Sequence, residues 1–168
     1  LFSREQAFRK QFRVAPDRLR PLFDRIVQEL RRRTRERFEL PAGESFELRL
    51  VRDEPWSAYN WYLGEFRSRI DVNTDLPILV TELPDRIAHE AYPGHHTEHA
   101  IKEQRLYRDA GRGEHSILLI NAPECVVSEG IAMRARRMVL SDEELRDWLR
   151  GELRELAGLP DVDIETML

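Results

Sequence analysis

Cysteine is nearly absent from this 168-residue chain: Cys125 is the only one, so no internal disulfide exists. Lysine is almost as scarce. Only Lys10 and Lys102 occur among the 27 basic residues, and the rest are arginine, which holds its charge and makes forked ion pairs. No apolar run approaches the roughly 20 residues of a membrane-spanning helix. A net charge of −4 gives no reason to expect nucleic acid or an anionic membrane as partner. Internal repeats and low-complexity linkers are also missing. The chain reads as one domain over residues 1–168. It starts at Leu1, directly in a helical pattern, and reads as a piece of something longer. A cytoplasmic address is favoured because no leader is visible.

The arginine run Arg31, Arg32, Arg33, Arg35 and Arg37 reads as a solvated helix face, with Glu29, Glu36 and Glu39 as partners. Residues 3–12 look helical. Pro16 opens a long helix with Leu19, Leu22, Phe23, Ile26, Val27 and Leu30 at helical spacing, stopped by Pro41 and Gly43. The period then changes. "SFELRLV" and "EFRSRIDVNT" alternate like strands, and "PWSAYNWYLG" between them packs four aromatics near a turn. Helical spacing returns from about Leu83. A helix carrying His89 meets Pro93-Gly94 and resumes through Ala100 and Ile101. A further helix is expected from about Ser116 to Val139, weakened at Pro123. A last one begins with the capping box Ser141-x-x-Glu144 and ends at Gly158 and Pro160. The expected fold class is α+β and helix-dominated, with a small antiparallel sheet preceding the histidine helix.

Four of the five histidines fall in "HEAYPGHHTEH", residues 89–99. His89-Glu90 begins like the zincin motif H-E-x-x-H. There, two histidines one turn apart bind zinc, and the glutamate is general base toward the metal-bound water. Position 93, where the second histidine should fall, is proline. On an unbroken helix the six residues to His95 rise about 9 Å, whereas two nitrogens on one tetrahedral zinc sit about 3.3 Å apart. Pro93 lacks an N–H and its ring clashes with the His89 carbonyl, and Gly94 tolerates the backbone angles that follow. The helix should bulge at 92–94 and let His89 and His95 converge. A rival pair, His95 and His99 with Glu98 between them, needs no bulge. His99 and His115 singly read as surface or supporting groups. A third ligand is expected from "VVSEGIA". Val126, Val127, Ile131 and Ala132 suggest a buried helix there, in which a charged Glu129 needs a metal or a partner such as Arg134 or Arg136. Gly130 would admit a neighbouring helix. Glu124 is the competing acid.

"HEAYPGHH" followed by "SEGIA" resembles the bacterial family called domain of unknown function 885, grouped with the gluzincin-type zinc metallopeptidases. The hallmark H-E-x-x-P-G-H matches at His89, Glu90, Pro93, Gly94 and His95. The family's E-G-W-A segment matches at Glu129, Gly130 and Ala132, with Ile131 where the family usually has tryptophan. The resemblance covers roughly residues 66–135. It implies a zincin-like core, one Zn²⁺ held by His89, His95 and Glu129, and Glu90 as the catalytic base. It also implies an edge strand flanking the cleft, for which "RSRIDVNTD" is the candidate. Tyr92, His96, Glu98 and His99 are candidate supporting or substrate-contacting groups, with Tyr92 and His96 the nearby choices for an oxyanion donor. The expected activity is a zinc-dependent hydrolase acting on a peptide or small amide. The alternatives are a metal-stabilised binding domain without turnover and a metal hydrolase of non-peptide amides or esters.

Overall fold

In the computed structural model, residues 8–120 and 122–160 are described; of the expected helix at residues 3–12, residues 3–7 lie outside them and residues 8–12 are helical. A short 3₁₀ turn, Lys10–Phe12, leads into α1, Pro16–Arg37. Pro16 sits at the first turn, where its missing N–H costs nothing. Leu19, Leu22, Phe23, Ile26 and Leu30 bury one stripe of this helix in the core. Each contributes about 1.5–3 kcal/mol by leaving water. The arginine run faces outward as expected, and Arg32 and Arg33 pair with Glu29. Arg31 and Arg35 depart from that pattern: both reach the buried carboxylate of Glu44.

Three strands follow: β1 Ser45–Val51, β2 Ala58–Gly64 and β3 Arg67–Asn73, in the order β1-β3-β2. The sheet is mixed, which corrects the antiparallel expectation. β3 pairs antiparallel with β2 but parallel with β1. The stretch expected to pack four aromatics near a turn forms strand β2 from Ala58 on, and the turn that follows it is Glu65-Phe66, where both residues have positive φ (53° and 60°). Such paired positive angles suit a tight hairpin but usually call for Asn-Gly. Here tertiary contacts support them. Glu103 accepts from the Phe66 N–H and the Tyr62 hydroxyl, and Arg108 stacks on the Phe66 ring.

The sheet packs Phe46, Leu48, Ile70 and Val72 toward α1 and α2, Leu83–Glu90. The chain then bulges over residues 91–94 and re-enters helix as α3, His95–Lys102, which continues as a π-helical stretch, Glu103–Asp109. The next helix begins later than expected: α4 spans Pro123–Ala132, and residues 117–120 before it are exposed and non-helical. α5, Ala135–Val139, and α6, Asp142–Trp148, close the core from the other side. The capping box at α6 forms as read. Arg136, largely buried, pairs with Asp85 at the start of α2 and with Asp142 on α6. No helix among the described residues is long and apolar enough to cross a membrane.

Candidate metal centre

The bulge after α2 replaces helical spacing with a wider step. Ala91 N–H still donates to Ile87 carbonyl oxygen in the ordinary i−4 manner. The next bonds reach six residues back: Gly94 N–H donates to Ala88 at 2.9 Å, and Thr97 N–H to Ala91 at 3.3 Å. Two additional residues are thereby looped out, and His95 takes the place that position 93 would hold in H-E-x-x-H. Gly94 is required for closeness more than for its torsion angles, because its φ is negative, −74°. A Cβ on it would lie 1.9 Å from the His89 carbonyl oxygen and 2.3 Å from that of Ala88.

The result brings His89 and His95 together, with ring centroids 4.7 Å apart and nearly perpendicular planes. Glu129 completes the cluster from α4. Its Oε1 lies 3.4 Å from His89 Nε2 and its Oε2 lies 3.3 Å from His95 Nε2. Ligand atoms from all three residues lie within 4.8 Å of one another. Bonds of about 2.0–2.2 Å to a tetrahedral zinc imply donor separations near 3.3–3.6 Å. The two histidine–carboxylate distances match that value, each to a different Glu129 oxygen, and the whole donor set lies within 4.8 Å, so a small side-chain adjustment would suit it to such an ion. Burial, then the neighbouring His89 and His99, pushes His95 down to about 4, so its imidazole is neutral at ordinary pH.

Glu90 faces the same space. Its carboxylate has no hydrogen-bond or ion-pair partner among the described residues, and its backbone carbonyl accepts from Asn60 Nδ2 on β2 at 2.7 Å. Burial, reinforced by Glu129 and opposed by Arg86, pushes Glu90 up to about 7. A cavity of about 370 Å³ opens over the cluster, walled by Ala58, Tyr59 and Asn60 on one side and by Ser128 and Glu129 on the other. The strand beside the cleft is therefore β2, the sheet edge. The expected "RSRIDVNTD" strand is β3 and lies in the sheet's middle, since Arg67–Asn73 pairs on both sides.

The remaining candidates divide. Tyr92 and His96 do not line the cavity. Both point to Glu44, with His96 Nε2 3.1 Å from Glu44 Oε2 and its Nδ1 2.8 Å from Ser68 Oγ. With both ring nitrogens occupied and the side chain fully buried, His96 is closed to a metal. Burial and the adjacent Glu44 push the Tyr92 phenol up, so it stays a neutral donor to that carboxylate. His99 and Glu98 lie beside the cluster. His99 Nδ1 is 2.9 Å from Glu98, and the His99 ring stacks on His95 at 5.9 Å, an arrangement that points the pair away from a shared ion. Glu124 pairs with Lys102 instead. Among the described residues no ion pair joins Glu129 to either Arg134 or Arg136, and Arg136 is taken by Asp85 and Asp142.

Two expectations about α4 are corrected. Val126 and Val127 are exposed, and among its described side chains the helix buries Ser128 and Ala132. Gly130 admits no neighbour, as a Cβ there would meet nothing within 4 Å. The two valines of "VVSEGIA" come from an outward face, whereas Ala132 is buried. Sequence reasoning also missed Asn60, Ser128 and Glu44. Ser128 adjoins Glu129 and was in plain sight, whereas Glu44 gives no local signal. No family model, curated protein or solved structure matches this chain.

Proposed function

We propose that this chain carries a zinc-dependent hydrolase centre that cleaves peptide bonds, with His89, His95 and Glu129 as ligands and Glu90 as the proton carrier. One observation carries the reading: two imidazoles and a carboxylate converge at separations suited to a shared ion, directly beside an unpaired, buried carboxyl group. The resemblance of the two motifs to the domain of unknown function 885 family points the same way.

A zinc ion bound there would supply Lewis-acid polarisation of a carbonyl and a lowered pKa for water. Glu90, a buried carboxyl group beside the cluster, accepts the proton of the attacking water and passes it to the leaving amine as the C–N bond breaks. The neutral His95 ring needs to lose no proton before it can bind a cation. The open edge of β2 along the cavity offers backbone groups to an extended chain, which favours a peptide over a small ester.

The test is metal content together with hydrolysis of a panel of peptides, amides and esters, for the wild type and Glu90→Gln. One zinc per chain in both proteins, with peptide cleavage lost in the variant, is the expected result. Undiminished cleavage by Glu90→Gln would refute the assigned role. Zinc binding with no hydrolysis of any substrate would favour a metal-stabilised binding domain, a reading that draws on Ile131 replacing the family's tryptophan. Cleavage confined to esters or non-peptide amides would leave the metal chemistry and overturn the peptide assignment.

A further inference from the structure

The hydroxyl of Ser128 lies between two groups of α3. His95 Nδ1 is 3.3 Å away, and Ser128 Oγ donates to Glu98 Oε2 at 3.1 Å. Glu98 is itself anchored by Lys102 Nζ at 3.0 Å and by His99 Nδ1 at 2.9 Å. Resting on the metal-centre reading above, we propose that Ser128 and Glu98 are positioning residues that fix the tautomer and bearing of His95.

The argument is one of donors and acceptors. A carboxylate already paired with Lys102 only accepts, so the serine proton must point to Glu98. The oxygen lone pairs then face His95 Nδ1, which must carry its hydrogen to make the bond. The lone pair of that ring is thereby left on Nε2, the nitrogen 3.3 Å from Glu129. Without the serine hydroxyl the ring loses this bias and can place its hydrogen on Nε2, closing the ligand atom. The position of Ser128 supports a specific role. It is buried on a helix whose neighbouring residues Val126, Val127 and Gly130 face outward, and it directly precedes Glu129. Glu98 lies three residues after His95 on the same face of α3. The bonds therefore close a loop between the helix that supplies His95 and the helix that supplies Glu129.

Zinc affinity, measured by competition with a chromophoric chelator, tests this in the full chain. Wild type should bind one zinc. Ser128→Ala should bind about 10–100-fold more weakly, the usual effect of removing a partner that orients a metal-ligating histidine. Its metal-free melting temperature should remain near that of wild type. Ser128→Thr, which keeps the hydroxyl, should recover most of the affinity. Glu98→Gln should weaken binding in the same direction, and it serves as the second probe if Ser128→Ala folds poorly. Cobalt substitution adds a spectroscopic readout, with the visible absorption of the Ser128→Ala site shifted from wild type. Wild-type zinc affinity in Ser128→Ala and Glu98→Gln overturns the proposal, as does a Ser128→Thr variant as weak as the alanine. Failure of wild type itself to bind zinc removes the metal-centre reading and this inference with it.

Discussion

Glu90 adjoins the 91–94 bulge in sequence and Glu44 meets it in space through Tyr92, yet the two carboxyl groups shift in opposite directions. Burial, with Glu129 adding to it and Arg86 opposing it only in part, pushes Glu90 up to about 7. Burial works on Glu44 too, but hydrogen bonds from His96, Tyr92 and Arg31 outweigh it and hold the group down to about 2. The consequences for stability have opposite signs. Folded Glu90 keeps its proton more tightly than the unfolded chain does. The metal-free protein should therefore lose stability as pH rises from 4.5 to about 7, on the order of 3 kcal/mol in all. Glu90→Gln should abolish that loss, so urea denaturation should find the metal-free variant more stable than wild type at about pH 8, with the gap gone near pH 4. A gap of constant size would contradict the burial of this carboxyl group. Folded Glu44 holds its proton more weakly. Its contribution is present above 4.5 and lost as pH falls toward about 2, again on the order of 3 kcal/mol. Glu44→Gln should destabilise the protein at neutral pH, and the deficit should shrink in acid. Equal sensitivity of both proteins to acid would count against the network.

At the scale of elements, the 91–94 bulge decides whether two histidines six positions apart can share a ligand site. It depends on one close backbone approach. Gly94→Ala places a methyl group inside contact distance of the Ala88 and His89 carbonyls. The variant should lose about 3 kcal/mol or more of stability and most of its zinc affinity. Gly130→Ala is the matched control, since a Cβ there meets nothing, and it should behave like wild type or slightly better as a helix former. Denaturation and zinc titration of the pair check both statements. The β2–β3 hairpin shows the reverse relation between local and distant forces. Its turn residues Glu65 and Phe66 carry no turn signature, and contacts from Glu103 and Arg108 more than twenty positions away support the geometry. No local reading could recover that, so "PWSAYNWYLG" could be placed near a turn but the turn itself could not be located.

For the whole molecule, the candidate site ties α4 to α2 and α3 through side chains, while the backbone bonds of the bulge join α2 to α3. α4 is the least anchored of these, with an exposed apolar face and Glu129 half-exposed. An ion shared by His89, His95 and Glu129 would add a cross-link that the metal-free fold lacks. Zinc at about 1,000 times its dissociation constant should stabilise by about 4 kcal/mol. For a chain of this size that raises the melting temperature by roughly 10 °C. A chelator should reverse the rise, and scanning calorimetry with and without it is the check. A melting curve indifferent to zinc would mean that the cluster does not hold the ion.

The sequence by itself determined α1, α2, α3 and α6, the presence of β1 and β3, and the site's local half, whereas the helix expected over Ser116–Val139 begins only at Pro123 and divides into α4 and α5. Hydrophobic period marks α1, the capping box marks α6, and the breaker between His89 and His95 announces a bulge, because these signals act over a turn or two of chain. The tertiary structure alone decided the parallel β1–β3 pairing, the identity of the edge strand and the fate of His96. It also decided that α4 turns its valines outward while presenting Ser128 and Glu129 to the histidines. Each of these depends on groups far apart in sequence meeting in space: Glu44 captures His96 from 52 positions away, and Glu129 reaches His89 across three helices. Burial and pairing at such distances leave no periodic trace in the chain, so only the packed molecule could place them.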